Sequence, residues 1–198
     1  MSDGDRGSSD DVGGDDDPPD PQTPSHRLVR GTVVIDDLDS FLFRLDEIAA
    51  ETGAVVQAFD ADLVVSDDHL RAATHLAARA IARGEAVARD PGVEILLYAA
   101  GRRQIDRALT LGVAEGEQRA VVLAADFGEV AGADRPAADL GATVAAIEEL
   151  TAAADATAQF DAERVREFYG VSDAELAATA GGLEDVVRER VALLDVEK

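Results

Sequence analysis

Polar and apolar positions alternate with two different periods along this chain, and the change of period marks its elements. His26 to Ile35 reads HRLVRGTVVI, a β-branched strand interrupted at Gly31. Asp36 to Asp39 offer N-caps for a helix whose Phe41, Leu42, Leu45, Ile48 and Ala49 share one face, ended by Gly53. Ala54–Phe59 and Leu63–Val65 predict one long strand or two short ones, broken at Asp60-Ala61-Asp62. A helix from about Asp68 to Arg83 follows, burying Leu70, Ala73, Thr74, Ala77, Ala80 and Ile81. Ile95 to Tyr98 form a short continuous apolar run, which predicts a strand buried on both faces; after Gly101, Ile105, Ala108 and Leu109 recur at helical spacing. Arg119–Ala125 is a further apolar strand, and 126–143 a Gly/Asp/Pro-rich loop. The rest predicts helices over 144–158, Ala162–Tyr169, Ser172–Thr179 with a Ser172/Glu175 capping box, and onward from Leu183. Strands alternating with helices imply an α/β fold: a central mixed β-sheet of about four strands flanked by helices, with a helical C-terminal part.

Composition changes this picture at one end and in its setting. Residues 1–24 hold eight aspartates, four glycines, four prolines and one arginine, which predicts a disordered acidic tail before a single domain over 25–198. The 198-residue chain carries 41 acidic against 18 basic side chains, a net charge of −23, and its only lysine is Lys198. That balance fits the cytoplasm of a salt-loving archaeon, where at molar salt the screening length falls to about 3 Å. The net charge therefore speaks of habitat before partner. There is no cysteine, so disulfides and thiolate metal sites are excluded. An acidic N-terminus and the lack of any apolar run near ~20 residues predict a cytoplasmic protein without signal peptide or membrane span.

The candidate chemistry concentrates in Glu94–Gly112, EILLYAAGRRQIDRALTLG. A predicted strand, a glycine, then Arg102, Arg103 and Gln104 opening a helix would put two cations where the macrodipole disfavours them. Helix stability does not ask for them there, whereas free N–H groups beside them suit a phosphate. Between His69 and Arg107 seven arginines face four acids, although counting Asp67 and Asp68 narrows the excess to +1. Arg71, His75, Arg79 and Arg83 fall four apart on one helix stripe. Enzymatic constellations are missing. His69 and His75 are six apart, no HExxH or GxSxG occurs, and Gly101-Arg102-Arg103-Gln104 lacks the lysine and hydroxyl of a phosphate-binding loop for magnesium nucleotides. No metal, no cofactor and no catalytic residue is expected.

One set of residues carries a family resemblance: Asp60-Ala61-Asp62, His69-Leu70 before an alanine-rich helix, Leu96-Leu97-Tyr98 with Gly101-Arg102-Arg103-Gln104-Ile105 and Ala108, and Glu189 to Leu194. Over about Leu28 to Asp195 the chain resembles the PRPK-binding protein family, the kinase-binding subunit of the KEOPS complex. The resemblance implies a non-catalytic subunit of the machine that installs threonylcarbamoyladenosine in tRNA, one that binds a small atypical kinase and holds the tRNA acceptor end with its 3′ CCA tail. Gly101, Arg103, Gln104 and Ile105 match the family motif as written; Arg102 stands where lysine is common and Asp60 where asparagine is expected. The RNA-binding set is then Arg102, Arg103 and Gln104, with the basic stripe of Arg71, Arg79 and Arg83 as its expected flank and stacking falling to arginine or His69, because aromatics are scarce and Tyr98 reads as core. The last helix, with its stripe of Leu183, Val186, Val187, Val191 and Leu194, covers its own domain or, as the resemblance implies, meets the kinase through Val187, Val191 and Leu194. Two rivals remain: a small α/β enzyme binding a phosphate-bearing metabolite at the Gly101 turn, and a purely structural bridge between subunits.

Overall fold

A computed structural model describes residues 22–153 and 159–196. Residues 1–21 of the expected tail lie outside them, as does the end of the helix expected to reach 158. The elements run β1 (His26–Ile35), α1 (Leu38–Thr52), β2 (Val55–Asp60), α2 (Asp67–Ala82), α3 (Pro91–Ala99), α4 (Ile105–Ala108) with a 3₁₀ turn over Leu109–Leu111, β3 (Gly116–Ala125), α5 (Leu140–Glu148), β4 (Ala152–Ala153), α6 (Ala162–Tyr169), α7 (Asp173–Ala178) and α8 (Leu183–Val196). Four strands in the order β2-β3-β1-β4 form the sheet. Every ladder is antiparallel, where a mixed sheet was expected. The fold class is otherwise as the sequence predicts: a four-stranded sheet, flanking helices and a helical C-terminal part.

Three layers result. Val29, Val33 and Ile35 of β1 with Ala120, Val122 and Ala124 of β3 pack on Leu45 and Ile48 of α1 and Ile147 of α5. On the other face, Val55 and Phe59 of β2 and Val121, Leu123 and Ala125 of β3 meet α2, α3, α6 and α8. β3 is central and covered on both sides, which is why its second half is a continuous apolar run even in an antiparallel sheet. β1 keeps the alternation of a half-covered strand, with Arg30 and Val34 exposed. Gly31 marks a close approach: a Cβ there would lie 2.6 Å from Thr151 Cβ and 2.8 Å from Ala152 O, so the glycine admits β4.

Three expectations change. Leu63–Val65 is a turn and coil after β2, not a second strand. The helix expected over 144–158 starts earlier, at Leu140, and gives way to β4. Most consequential, Ile95–Tyr98 belong to α3, not to a strand. Asp90 caps it, accepting from Gly92 N at 2.8 Å and Val93 N at 3.1 Å, and Pro91 takes the first turn. The helix lies between sheet, α2 and α8 and is buried nearly all round, so it shows no polar stripe.

Candidate nucleic-acid and partner interface

Because α3 is a helix, the Arg102-Arg103 pair follows a helix C-terminus instead of opening a long helix. Gly101 adopts the left-handed conformation at φ +60°. Arg102 N donates to Leu97 O at 3.1 Å and Gly101 N to Tyr98 O at 2.9 Å, a paired closure of the helix end. The two cations therefore sit at the favourable pole of the α3 dipole. The following helix, α4, has four residues, and Gln104 precedes it exposed and without a side-chain capping bond. The phosphate-cradling helix start expected at Gly101 is not formed, and the N–H groups of residues 101 and 102 are already bonded.

Both arginines reach back onto the C-terminal helices. Arg102 donates to Phe168 O while its guanidinium lies 5.1 Å from the Phe168 ring centroid. Arg103 donates to Leu194 O at 2.9 Å. Neither forms an ion pair among the described residues, in a chain with 41 acidic side chains. Of the flanking stripe, Arg71 is exposed and bound to Asp68 at 2.9 Å, and Arg79 pairs with Asp195. Asp195 Oδ1 also accepts from the hydroxyl of Tyr98, which is core, at 3.2 Å. Arg83 is half-buried and has a partner within the chain. Arg79 and Arg103 thus converge on consecutive residues at the end of α8.

His69 is not a stacking surface. It is fully buried, its Nε2 lies 2.9 Å from Ala99 O, and its Nδ1 has no partner. Tyr169 Oη donates to the same carbonyl at 2.9 Å, so Nε2 carries the proton and donates as well. Burial pulls the imidazole down to about 4, against a smaller upward pull from the Ala99 bond. Burial likewise pushes the Tyr169 hydroxyl up, with Arg102 opposing. The expected RNA role of His69 gives way to a structural one: it joins the start of α2 to the ends of α3 and α6.

The apolar stripe of α8 faces inward. Val187 and Val191 are fully buried and Leu194 nearly so, all within the domain's own core. As kinase contacts these three are corrected: in the folded chain they are not available to a partner. The outward face offers Glu184, Arg188, Glu189, Ala192 and Leu193, the last 47% exposed.

A charged clasp that the sequence left unread joins β2 to α6. Arg164 Nη2 donates to Asp60 Oδ2 at 2.6 Å and Nη1 to Asp62 Oδ2 at 3.1 Å, and Arg119 also binds Asp62. The Asp60 hydrogen bond, followed by attraction to nearby carboxylates and opposed by burial, raises the Arg164 guanidinium above its ordinary value. Asp60, which would oppose RNA if exposed, is instead buried and neutralised. The i,i+4 spacing of Arg164 and Phe168 in a clearly helical stretch was the signal that could have grouped them.

Against this geometry, residues 42–195 match the family described as kinase binding protein CGI-121. The chain belongs to that family. No curated protein matches it in sequence. Among the described residues no group of three His, Cys, Asp or Glu side chains could hold a metal, and no helix is long and apolar enough to cross a membrane.

Proposed function

We propose that this CGI-121 family member is a non-catalytic subunit of the KEOPS complex, binding the complex's atypical kinase and the 3′ CCA end of tRNA. The observation that carries the RNA half is the pair Arg102 and Arg103, cations without a carboxylate partner among the described residues of a chain of net charge −23. In so acidic a chain most arginines meet carboxylates, as Arg71, Arg79, Arg119 and Arg164 do. Each of the two spends one Nη on a carbonyl and has its Nε buried, which leaves the second Nη to donate to a phosphate oxygen. Exposed Gln104 adds an amide beside them.

Binding of tRNA with and without its 3′ CCA, measured at molar KCl, tests this reading; equal affinity for both sinks it. Arg103→Glu lowers affinity for the intact tRNA selectively. For the kinase we propose the outward face of α8 around Leu193. Deleting everything after Gly182 is not a clean test, because it removes Val187 and Val191 from the core. Leu193→Asp is: it leaves the fold intact and abolishes co-purification with the kinase.

A further inference from the structure

We propose that the open outer edge of β1, over residues 27–30, is a docking site for an extended segment of a partner protein, added to the sheet as an antiparallel strand. The segment carries an apolar side chain opposite Val29 and a carboxylate opposite Arg27. None of the residues assigned above to RNA or to the kinase takes part.

β1 is ten residues long and pairs with β3 along its whole length, whereas on its other side β4 covers only Gly31 and Thr32. One bond beside the ladder fixes which main-chain groups that leaves open. Asp126 N donates to Ser25 O at 2.8 Å, in register with the β1–β3 pairing. Opposed residues of an antiparallel ladder alternate between bonded and non-bonded pairs, so Arg27, Val29 and Gly31 turn their N–H and C=O toward β3. Leu28 and Arg30 turn theirs outward, and among the described residues no strand meets them there. An unpaired strand edge of this kind is a template for a further strand.

The same edge lines a groove of about 450 Å³, within the ~300 to ~1,000 Å³ of ligand pockets. Val144 and Glu148 of α5 form one wall, and Thr151 with β4 stands at one end. Side chains alternate across a sheet, which decides what the incoming strand presents. Val29 is buried in the α1–α5 layer, so Arg27 lies on the same face. Incoming residues opposite these two form non-bonded pairs, in which side chains approach most closely. Opposite Val29, an apolar side chain meets Val144 and leaves water.

Opposite Arg27, charge decides. Arg27 is exposed, donates to the adjacent His26 carbonyl at 2.9 Å and makes no ion pair among the described residues. Arg30, on the other face, is already bound to Asp67. In a chain of net charge −23, a cation without a carboxylate beside an open strand edge calls for an acid from outside. A second copy of the chain does not bring one to this edge: its own β1 offers Arg27 and Arg30, and its net charge has the same sign. Main-chain hydrogen bonds carry no net charge, so docking of this kind outlasts high salt while the carboxylate sets the register.

The test uses the full chain in molar KCl and the peptide Ser-Thr-Val-Thr-Glu-Ser, labelled with fluorescein at its start and amidated at its end, read by fluorescence anisotropy. Antiparallel pairing sets its valine opposite Val29 and its glutamate opposite Arg27. Replacing the glutamate by lysine is expected to weaken binding about five-fold, and Arg27→Glu, at an exposed position that leaves the core untouched, to reverse that preference. Methylating the main-chain nitrogen of the second threonine, which pairs with Leu28, is expected to weaken binding about ten-fold. Methylating that of the valine, which faces away from β1, should change it by less than about two-fold. No binding by the parent chain, or equal losses from the two methylations, overturns the added strand. Binding whose charge preference survives Arg27→Glu overturns the place given to the carboxylate. A parent chain that sediments as a dimer, and as a monomer once it carries Arg27→Glu, gives the edge to a second copy and overturns the proposal.

Discussion

Lowering the pH from 7.5 to 5 should weaken this fold through His69. The imidazole is enclosed, its Nε2 proton is committed to Ala99 O, and Nδ1 faces no acceptor. Folding thus holds it neutral with a pKa of about 4, against 6.5 for the free side chain. The unfolded chain takes up a proton as pH drops below 6.5, while the folded chain does not until pH nears 4. Stability is therefore fully present above 6.5 and is lost as pH falls through the window down to 4. At ~1.36 kcal/mol per unit the full difference is about 3 kcal/mol, of which about 2 kcal/mol is spent by pH 5. Urea unfolding at fixed high salt, repeated across pH 7.5 to 5, measures it. His69→Gln retains a donor for Ala99 O but cannot titrate, so its stability profile should be flatter by about 2 kcal/mol over the same range. The slope difference is the readout, so a uniform loss from imperfect packing does not obscure it. Identical slopes in parent and variant would falsify the assignment of a buried neutral imidazole.

Gly101→Ala forces a Cβ into a left-handed backbone, 3.4 Å from Arg190 Cβ, and should cost about 1–2 kcal/mol by urea midpoint without changing the fold seen by circular dichroism. Arg164→Ala leaves buried Asp60 without its partner and should destabilise by about 1–3 kcal/mol, a loss that the added substitution Asp60→Asn partly restores in a double-mutant cycle. Val191→Asp places a charge in the core and should prevent soluble folding, whereas Leu193→Asp should shift stability by no more than about 0.5 kcal/mol, a contrast read by thermal melting. Raising KCl from 0.1 to 2 M should raise the unfolding midpoint, because screening relieves the self-repulsion of 23 net negative charges; a flat response would count against the salt-loving reading of the composition.

Elements with one polar face were legible in the sequence, and those buried all round were not. α6 runs over Ala162–Tyr169 as its spacing predicts, and α2 differs by one residue at each end from the expected bounds. α3 failed because a nine-residue helix packed on every side has no polar stripe, leaving a run that reads equally as strand. The deciding signal was local: Asp90-Pro91 is a helix start and Gly101 a helix stop. Mistaking α3 also reversed the pole at which Arg102 and Arg103 were placed. In the candidate site, spacing could not show that Arg79 and Arg103 reach neighbouring residues of α8, nor which face of α8 turns inward, because both depend on tertiary packing that periodicity cannot orient. Phe168 escaped notice because a partly buried aromatic on a short helix has no sequence signature that says which neighbour it meets.

The hydrogen bonds of Arg102 and Arg103 to the C-terminal helices end on the main-chain carbonyls of Phe168 and Leu194. A carbonyl is present whatever side chain its residue carries, so these bonds record the path of the chain and are blind to the letters at 168 and 194. The C-terminal helices can therefore drift in sequence, even exchange their partner-facing residues, while remaining fastened to the α3–α4 connection. What cannot drift is the reach of the two guanidinium groups: a shorter side chain at 102 or 103 would release the helix ends even though every core residue stayed the same.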